Sequence, residues 1–374
     1  MTAAWAASGR PAVVFVSVPT GIGGSTRSLA TVLRHLDGTV RILAGPSTGR
    51  FVGLVRDDEA LDVHLPIVSS RRPRPPRRLW TALRLAAFAT RHRRHLTAIH
   101  ANGLKELSLS LPAAVLSRVR LVVWIHNFAL PPSVLRFGWL WRLVLPRADV
   151  RWAAVSPLAR DLAVDAGLTT EAQVEIVPNP IDPADVVAVQ RPDRSSADRV
   201  AVAYLGAPRH YKGFELLPTI IDALGVRDDV EWLVFSQATD DDLASTWRRL
   251  SALAVAGRVS LEGKHPDVRE VYARCDVVVC PSLLESFCRV AAEAMLNGIP
   301  VVGSDLAPIE ALLGSDAAGL LFPAGDVAAA AAAIARLVDD PALRSRLGEA
   351  GRQRAAAFDP LSVTRRLADL YGAG

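Results

Sequence analysis

A chain of 374 residues, half of them hydrophobic and 22% charged, is too long for one core and too apolar to stay unfolded, so two folded domains are expected. Its net charge of +5 is uneven: residues 1–190 hold 23 Lys+Arg against 13 Asp+Glu, and residues 191–374 hold 20 against 25, so the basic half suits an anionic membrane surface or an anionic substrate. Three cysteines (Cys275, Cys280, Cys288) clustered within fourteen residues argue against a disulfide framework, no Cys/His spacing suits zinc, and no apolar run is long enough to span a membrane, which together fit a reducing cytoplasm.

The N-terminus does not read as a signal peptide, because its first basic residue is Arg10 and the apolar run Val13–Val18 is short. Ala12–Val18 reads as a buried strand. Ser25–Leu36 reads as a helix with Ser25 as N-cap. Val40–Gly45 is the next strand, and "LTAIHA", "LVVWIH" and "VRWAAVS" are further ones. Strands alternating with helices imply a parallel, doubly wound sheet. The proline-bearing stretch Pro178–Arg199 reads as a linker. The pattern then restarts with Val200–Gly206, a helix from Phe214, and the strands "VEWLVFS", "RVSLEG", "DVVVCPS", "IPVVGSD" and "GLLFPAG". "DVAAAAAAIARLVDD" is a helix capped by Asp326, and "DPLSVTRRLADLYGAG" is a last helix. The class is α/β, with an N-terminal Rossmann-like domain at 1–190, a second at 191–355 and a terminal helix at 356–374. Ligands in open α/β sheets bind at the strand C-terminal edges, so the motifs belong there.

"VSVPTGIGGSTRSL" places Gly21, Gly23 and Gly24 between a strand and a helix, where backbone N–H groups can meet phosphate. The dinucleotide fingerprint needs a further glycine where Thr26 stands, and a Walker A loop needs a lysine that is absent. A plain strand–helix turn reads the loop equally well. "AYLGAPRHYKGFELLP" puts Arg209, His210 and Lys212 after a strand, where cations can meet a diphosphate. Lys212 stands out because Lys105 and Lys264 are the only other lysines. "PSLLESFCRVAAEAM" carries Glu285 in a loop and Glu293 two turns into a helix that is expected to begin near Ser286. Carboxylates accept paired bonds from vicinal hydroxyls, as on ribose or a sugar. The run Asp240–Asp242 reads as a helix cap rather than a metal motif.

With these residues in place, the chain resembles the retaining glycosyltransferases of the GT-B fold, group 1 of family 4. The signature is Glu, seven residues, Glu within "PSLLESFCRVAAEAMLNGIPVVGSD", followed by "AGLLFPAGD". The resemblance implies two Rossmann-like domains facing a central cleft, closing on a nucleotide-sugar donor. It implies that Glu293 holds the ribose, that Glu285 meets the donor sugar, and that amides near Ser286 and Phe287 meet sugar and phosphate. Lys212 and Arg209 would neutralise the diphosphate beside the strand-end Gly206, with Gly23 and Gly24 closing from the first domain. Lys264 falls where the nucleobase would sit, and His126 matches the strand-end histidine at the reaction centre. Two departures stand out. Ala207 occupies the family's usual arginine position. Cys288 and Arg289 replace a glycine and an apolar residue.

The implied reaction moves a hexosyl or N-acetylhexosaminyl group from a UDP- or GDP-type donor to an acceptor hydroxyl, with retention and without metal or cofactor. A nucleotide-sugar epimerase on the same fold is the alternative. The acceptor would be a glycan, a lipid-linked glycan or a small molecule, and no nucleic-acid module appears. The segments Arg71–Leu96 and Val134–Arg147 set Phe137, Trp139 and Trp141 beside arginines, a pattern that suits docking at the inner face of the membrane.

Overall fold

The computed structural model describes residues 5–19, 21–57, 59–68, 75–132, 134, 141, 143–188, 199–237, 243–263, 265, 267–314 and 317–372. The chain divides into two compact units, residues 1–180 with 359–374 and residues 181–358.

In the first unit the described strands are β1 (Ala12–Val16), β2 (Val40–Pro46), β3 (Val63–Val68), β4 (Leu96–Ala101), β5 (Arg120–Ile125), β6 (Val150–Ala154) and β7 (Val174–Ile176). They pair in parallel in the order β3-β2-β1-β4-β5-β6-β7. The register sets Ala12 opposite Val40 and Val16 opposite Ala44. All five residues of β1 are buried, as expected for a central parallel strand covered on both faces. The helix Gly24–His35 is capped at Gly23 rather than Ser25, two residues before the expected start.

The second unit contains β8 (Val200–Leu205), β9 (Val230–Phe235), β10 (Val259–Leu261), β11 (Val277–Cys280), β12 (Val301–Ser304) and β13 (Gly319–Phe322), in the parallel order β10-β9-β8-β11-β12-β13. Its core joins Val202, Tyr204, Phe214, Trp232 and Val279 with Ile334 and Leu337 of the alanine-rich helix Val327–Asp339. That helix begins at its expected cap, where the Asp326 carboxylate accepts the Ala329 N–H at 2.9 Å. Both sheets reverse strand order next to their first strand, between β1 and β4 and between β8 and β11. Those are the switch points at which open α/β sheets bind ligands.

The unit boundary falls at Pro180, ten residues before the compositional one. Ile181 donates its N–H to the Phe358 carbonyl at 2.9 Å. The Asn297 amide holds the Val186 carbonyl and the Ala188 N–H, each at 3.0 Å. These bonds tie the start of the expected linker to the second unit. The helix Pro360–Tyr371 belongs to the first unit, where Tyr371 Oη bonds His100 Nδ1 at 2.9 Å among Phe15 and Trp124. Burial holds the His100 ring down to about 3, so it is neutral.

Removing the buried Tyr371 ring leaves a cavity and an unmet imidazole. Tyr371→Ala should cost about 3–5 kcal/mol, and Tyr371→Phe about 1–3 kcal/mol, in urea unfolding of the full chain. A loss below about 1 kcal/mol for Tyr371→Ala would show that the terminal helix does not anchor this unit.

Candidate active site

The second unit builds its site from the loops that leave β8 and β11. After β8 the chain makes a 3-10 turn, His210–Lys212, and ends it at Gly213 with φ +64°. A Cβ on Gly213 would lie 1.8 Å from the Pro281 carbonyl oxygen, so only glycine lets this turn lie on the β11 loop. The contact is then sealed by backbone, because the Tyr211 carbonyl accepts Leu283 N–H at 2.9 Å and Leu284 N–H at 3.1 Å.

This clamp brings Lys212 Nζ to 2.5 Å from Glu285 Oε1, and Ser282 Oγ donates to the same oxygen at 3.1 Å. Glu285 is buried. Burial works against the Lys212 ammonium, but the Glu285 carboxylate outweighs it and the pKa is raised. The site thus holds a half-buried cation paired with a buried carboxylate.

Glu293 stands in the helix Arg289–Leu296. The helix starts three residues later than expected because Cys288 takes the left-handed conformation, φ +60°. That conformation is the physical reason a glycine suits this position. The buried Glu293 carboxylate accepts Tyr272 Oη at 2.9 Å on Oε2, and Arg289 Nε lies 2.8 Å from Oε1. Burial, then the Glu293 charge, pushes the Tyr272 hydroxyl up, so it stays protonated as a donor.

In the first unit, the loop after β1 is stapled by Thr26, the residue at the missing glycine's place. Gly23 N–H donates to Thr26 Oγ1 at 2.7 Å, and that hydroxyl lies 3.1 Å from the Gly23 carbonyl and 3.3 Å from that of Gly21. A Cβ on Gly21, Gly23 or Gly24 would meet nothing within 4 Å, so open space adjoins the loop. Asn102, just past β4, donates to the Ser25 carbonyl at 3.4 Å. Glu106 accepts the Val18 N–H at 3.3 Å and is buried, and burial pushes its carboxyl up to about 7 against the pull of that amide. His126 follows β5 and packs edge-on against Trp124 with ring centroids 4.3 Å apart. Both its ring nitrogens are buried without a hydrogen bond to a described residue. Burial, then neighbouring His100, drives its pKa down to about 3, and the Asn179 amide opposes this without reaching hydrogen-bond geometry.

Two family models cover the chain: "Glycosyltransferase Family 4" matches residues 19–185 and "Glycosyl transferases group 1" matches residues 190–354. A phosphatidyl-myo-inositol mannosyltransferase of Mycobacterium leprae is 30% identical over 371 residues, spanning 95% of this chain and 93% of that protein. The chain is a group 1 glycosyltransferase of the family 4 type. A lipopolysaccharide core biosynthesis mannosyltransferase of Rhizobium meliloti, LpsB, is 33% identical over 155 residues, which span 40% of this chain and 43% of LpsB. The fold is that of Anabaena HepE crystallised with UDP and glucose (TM-score 0.79, 20% identity, 96% and 98% of the two chains). It is also that of a Rickettsia africae glycosyltransferase (TM-score 0.82, 16% identity, 97% and 98%).

The structure groups this transferase's expected residues unevenly. Lys212 and Glu285 meet directly, and Glu293 lies on the helix that follows their loop. Between them Ser286 is half-buried, while Phe287 packs on Phe358 at 5.5 Å. Gly206 closes β8, donating its N–H to the Phe235 carbonyl at 3.3 Å. Arg209 is exposed at the start of the 3-10 turn. Lys264 and Asp240–Asp242 lie outside the described residues. Among the described residues, no cluster of three His, Cys, Asp or Glu side chains could hold a metal ion, and all three cysteines are buried free thiols.

Sequence reasoning passed over Gly213, Ser282, Tyr272 and Glu106. "YKGF" does print a glycine after the key lysine. Tyr272 and Glu106 carry no local signal, because only the fold brings them to their partners.

The Glu106 shift has a sign that can be checked. Its folded carboxyl keeps a proton up to about pH 7, whereas the unfolded one releases it near its ordinary value of 4.5. Its contribution to stability is therefore greatest at low pH and falls as pH rises through that window. Glu106→Gln should raise the melting temperature relative to wild type by several degrees more at pH 8 than at pH 5. An equal difference at both pH values would contradict the buried, titrating carboxyl.

Proposed function

We propose that this transferase moves a sugar from a nucleoside-diphosphate sugar of UDP or GDP type to an acceptor hydroxyl, with retained anomeric configuration and without a metal. The observation that carries this reading is the Lys212–Glu285 pair, its carboxylate buried, locked at the β8/β11 switch point by Gly213. A nucleoside-diphosphate sugar offers vicinal hydroxyls and a diphosphate, and the pair offers a carboxylate and a cation for them.

In the proposed reaction the bond from anomeric carbon to diphosphate oxygen breaks, and the transition state is oxocarbenium-like. Negative charge grows on the leaving diphosphate, where Lys212 and Arg209 stabilise it and replace a metal. Glu285 orients the donor sugar and Glu293 the ribose. The acceptor oxygen attacks the same face, and its proton passes to the leaving phosphate oxygen. Glu285 is engaged by Lys212 and Ser282, which disfavours it as a covalent nucleophile. His126 serves the reacting centre as a neutral ring, since its pKa lies far below neutrality. Gly23 and Gly24 complete the binding surface of the first unit, and Lys264 is assigned to the base. The matched relatives are named as transferases, which favours transfer over epimerisation.

A thermal-shift screen of UDP-, GDP- and dTDP-sugars should single out one nucleotide, because bound ligand stabilises the fold. With that donor, Lys212→Ala should lose on the order of 10²–10³ in turnover while staying folded, and Glu293→Ala should lose its donor binding. Near-wild-type turnover by Lys212→Ala would sink the assignment.

A membrane-bound acceptor is favoured by one surface. On the helix Pro75–His92, Leu85, Ala86 and Ala89 are buried, while Leu79 (62%), Trp80 (68%) and Leu83 (47%) stand exposed beside the exposed Arg84 and Arg91. Exposed apolar side chains on a helix that also exposes arginines fit an anionic bilayer interface. Of the second expected segment, Trp141 is buried, and Phe137 and Trp139 lie outside the described residues. The M. leprae relative is named for a phosphatidyl-inositol acceptor, in keeping with this reading. No helix of the described residues is long and apolar enough to cross a membrane. The protein should co-sediment with anionic liposomes at low salt, and Trp80→Ser with Leu83→Ser should weaken that binding several-fold. Absence of binding at low salt removes the docking surface.

A further inference from the structure

Arg289 is the first residue of the helix Arg289–Leu296, and its guanidinium pairs with Glu293 one turn on, Nε to Oε1 at 2.8 Å. Both side chains are nearly enclosed, 11% and 5% exposed. The order of the pair is the unfavourable one for a helix. A cation at the amino end faces the positive pole of the macrodipole, and an acid is better placed N-terminal to a base than after it. Burying both charges adds a desolvation cost, against which Glu293 also holds the Tyr272 hydroxyl. Helix stability therefore does not account for Arg289. Residues that break a local rule without a structural gain concentrate at functional positions.

The surroundings point to a ligand with two kinds of group. Lys212, the site's other cation, is held by Glu285. Cys288, between the two pairs, lies in the field of both Glu285 and Lys212. Lys212 pairs with Glu285 and Arg289 with Glu293, and these four charges cancel. Tyr272 holds Oε2 of Glu293, which leaves Oε1, the oxygen facing Arg289, as the exchangeable one. A ribose hydroxyl can take over Oε1. A diphosphate can take over the guanidinium, whose planar fork suits two phosphate oxygens.

We infer that Arg289 is a phosphate-binding residue of the donor site that covers Glu293 while the site is empty. On binding, the ribose displaces it from Glu293 and it turns to the diphosphate. The exchange makes the site selective for a nucleoside joined to phosphates over the nucleoside alone. This inference rests on the donor-site reading given above.

Calorimetric titration of UDP, GDP and dTDP, with saturation-transfer NMR of the matching nucleosides, tests it. The nucleoside diphosphate that binds wild type should bind Arg289→Met at least about 10-fold more weakly. Arg289→Lys should recover most of that loss. Nucleoside binding should be unchanged or tighter in Arg289→Met, because the cover is gone. Equal or tighter diphosphate binding by Arg289→Met overturns the inference and leaves the donor-site reading standing. If no nucleoside diphosphate binds wild type, both fall together. Should melting curves show that Arg289→Met does not fold, Arg289→Gln takes its place, an uncharged side chain whose amide still donates to the Glu293 carboxylate. The same 10-fold loss is expected there, and its absence again overturns the inference.

Discussion

Everything in the second unit's site depends on one close approach, the turn at Gly213 lying on the carbonyl of Pro281. A single methyl group at 213 would occupy the space of that oxygen. Without the contact, Tyr211 could not accept two backbone N–H groups from the neighbouring loop, and Lys212 would not be delivered to Glu285. A buried carboxylate is costly unless a charge or several donors meet it. The geometry of a glycine thus decides whether Glu285 is tolerable at all. The order of causes runs from backbone conformation to loop contact to ion pair, and chemistry comes last.

The same logic separates what was legible in the sequence from what was not. Short β-branched runs separated by amphipathic stretches announce parallel strands, because a strand buried on both faces is continuously apolar. Asp326 announces a helix start, because its carboxylate needs only the local backbone. The acid pair Glu285 and Glu293 and the isolated Lys212 are visible as residue types at strand ends. The helix start at Arg289 was not legible, since Cys288 adopts a conformation more usual for glycine or asparagine. Nor was the engagement of Glu293 by Tyr272, which lies 21 residues away and meets it only through the fold. The unit boundary shifted for a similar reason: the amide of Asn297 reaches back over a hundred residues to fix the first part of the expected linker.

The two units treat charge in opposite ways. In the second, the buried carboxylates Glu285 and Glu293 each meet a cation, Lys212 and Arg289. A paired ion keeps its charge through neutral pH and can exchange one partner for another. In the first, His100, His126 and Glu106 form no ion pair with a described residue. His100 and His126 are held neutral by burial, and Glu106 is pushed toward the protonated form. An unpaired buried group answers desolvation by losing its charge rather than by recruiting a counter-ion.

That division fits the proposed chemistry. A transition state with a positive anomeric carbon and a negative leaving group needs fixed cations at the diphosphate and none at the carbon. A charged His126 would repel the oxocarbenium centre it is proposed to serve, and burial against Trp124 prevents that charge from forming. The cost appears in acid. Both histidines have folded pKa values near 3, far below that of a free imidazole, so the stability they hold is complete above about pH 6.5 and drains away as pH falls toward 3. Glu106 pulls weakly the other way over the range from its ordinary value to about 7. Two histidine shifts outweigh one carboxyl shift, so these three groups together favour neutral over acidic conditions. The neutrality that suits the reaction and the preference of these groups for neutral pH have the same cause, the burial of imidazoles without a counter-ion among the described residues.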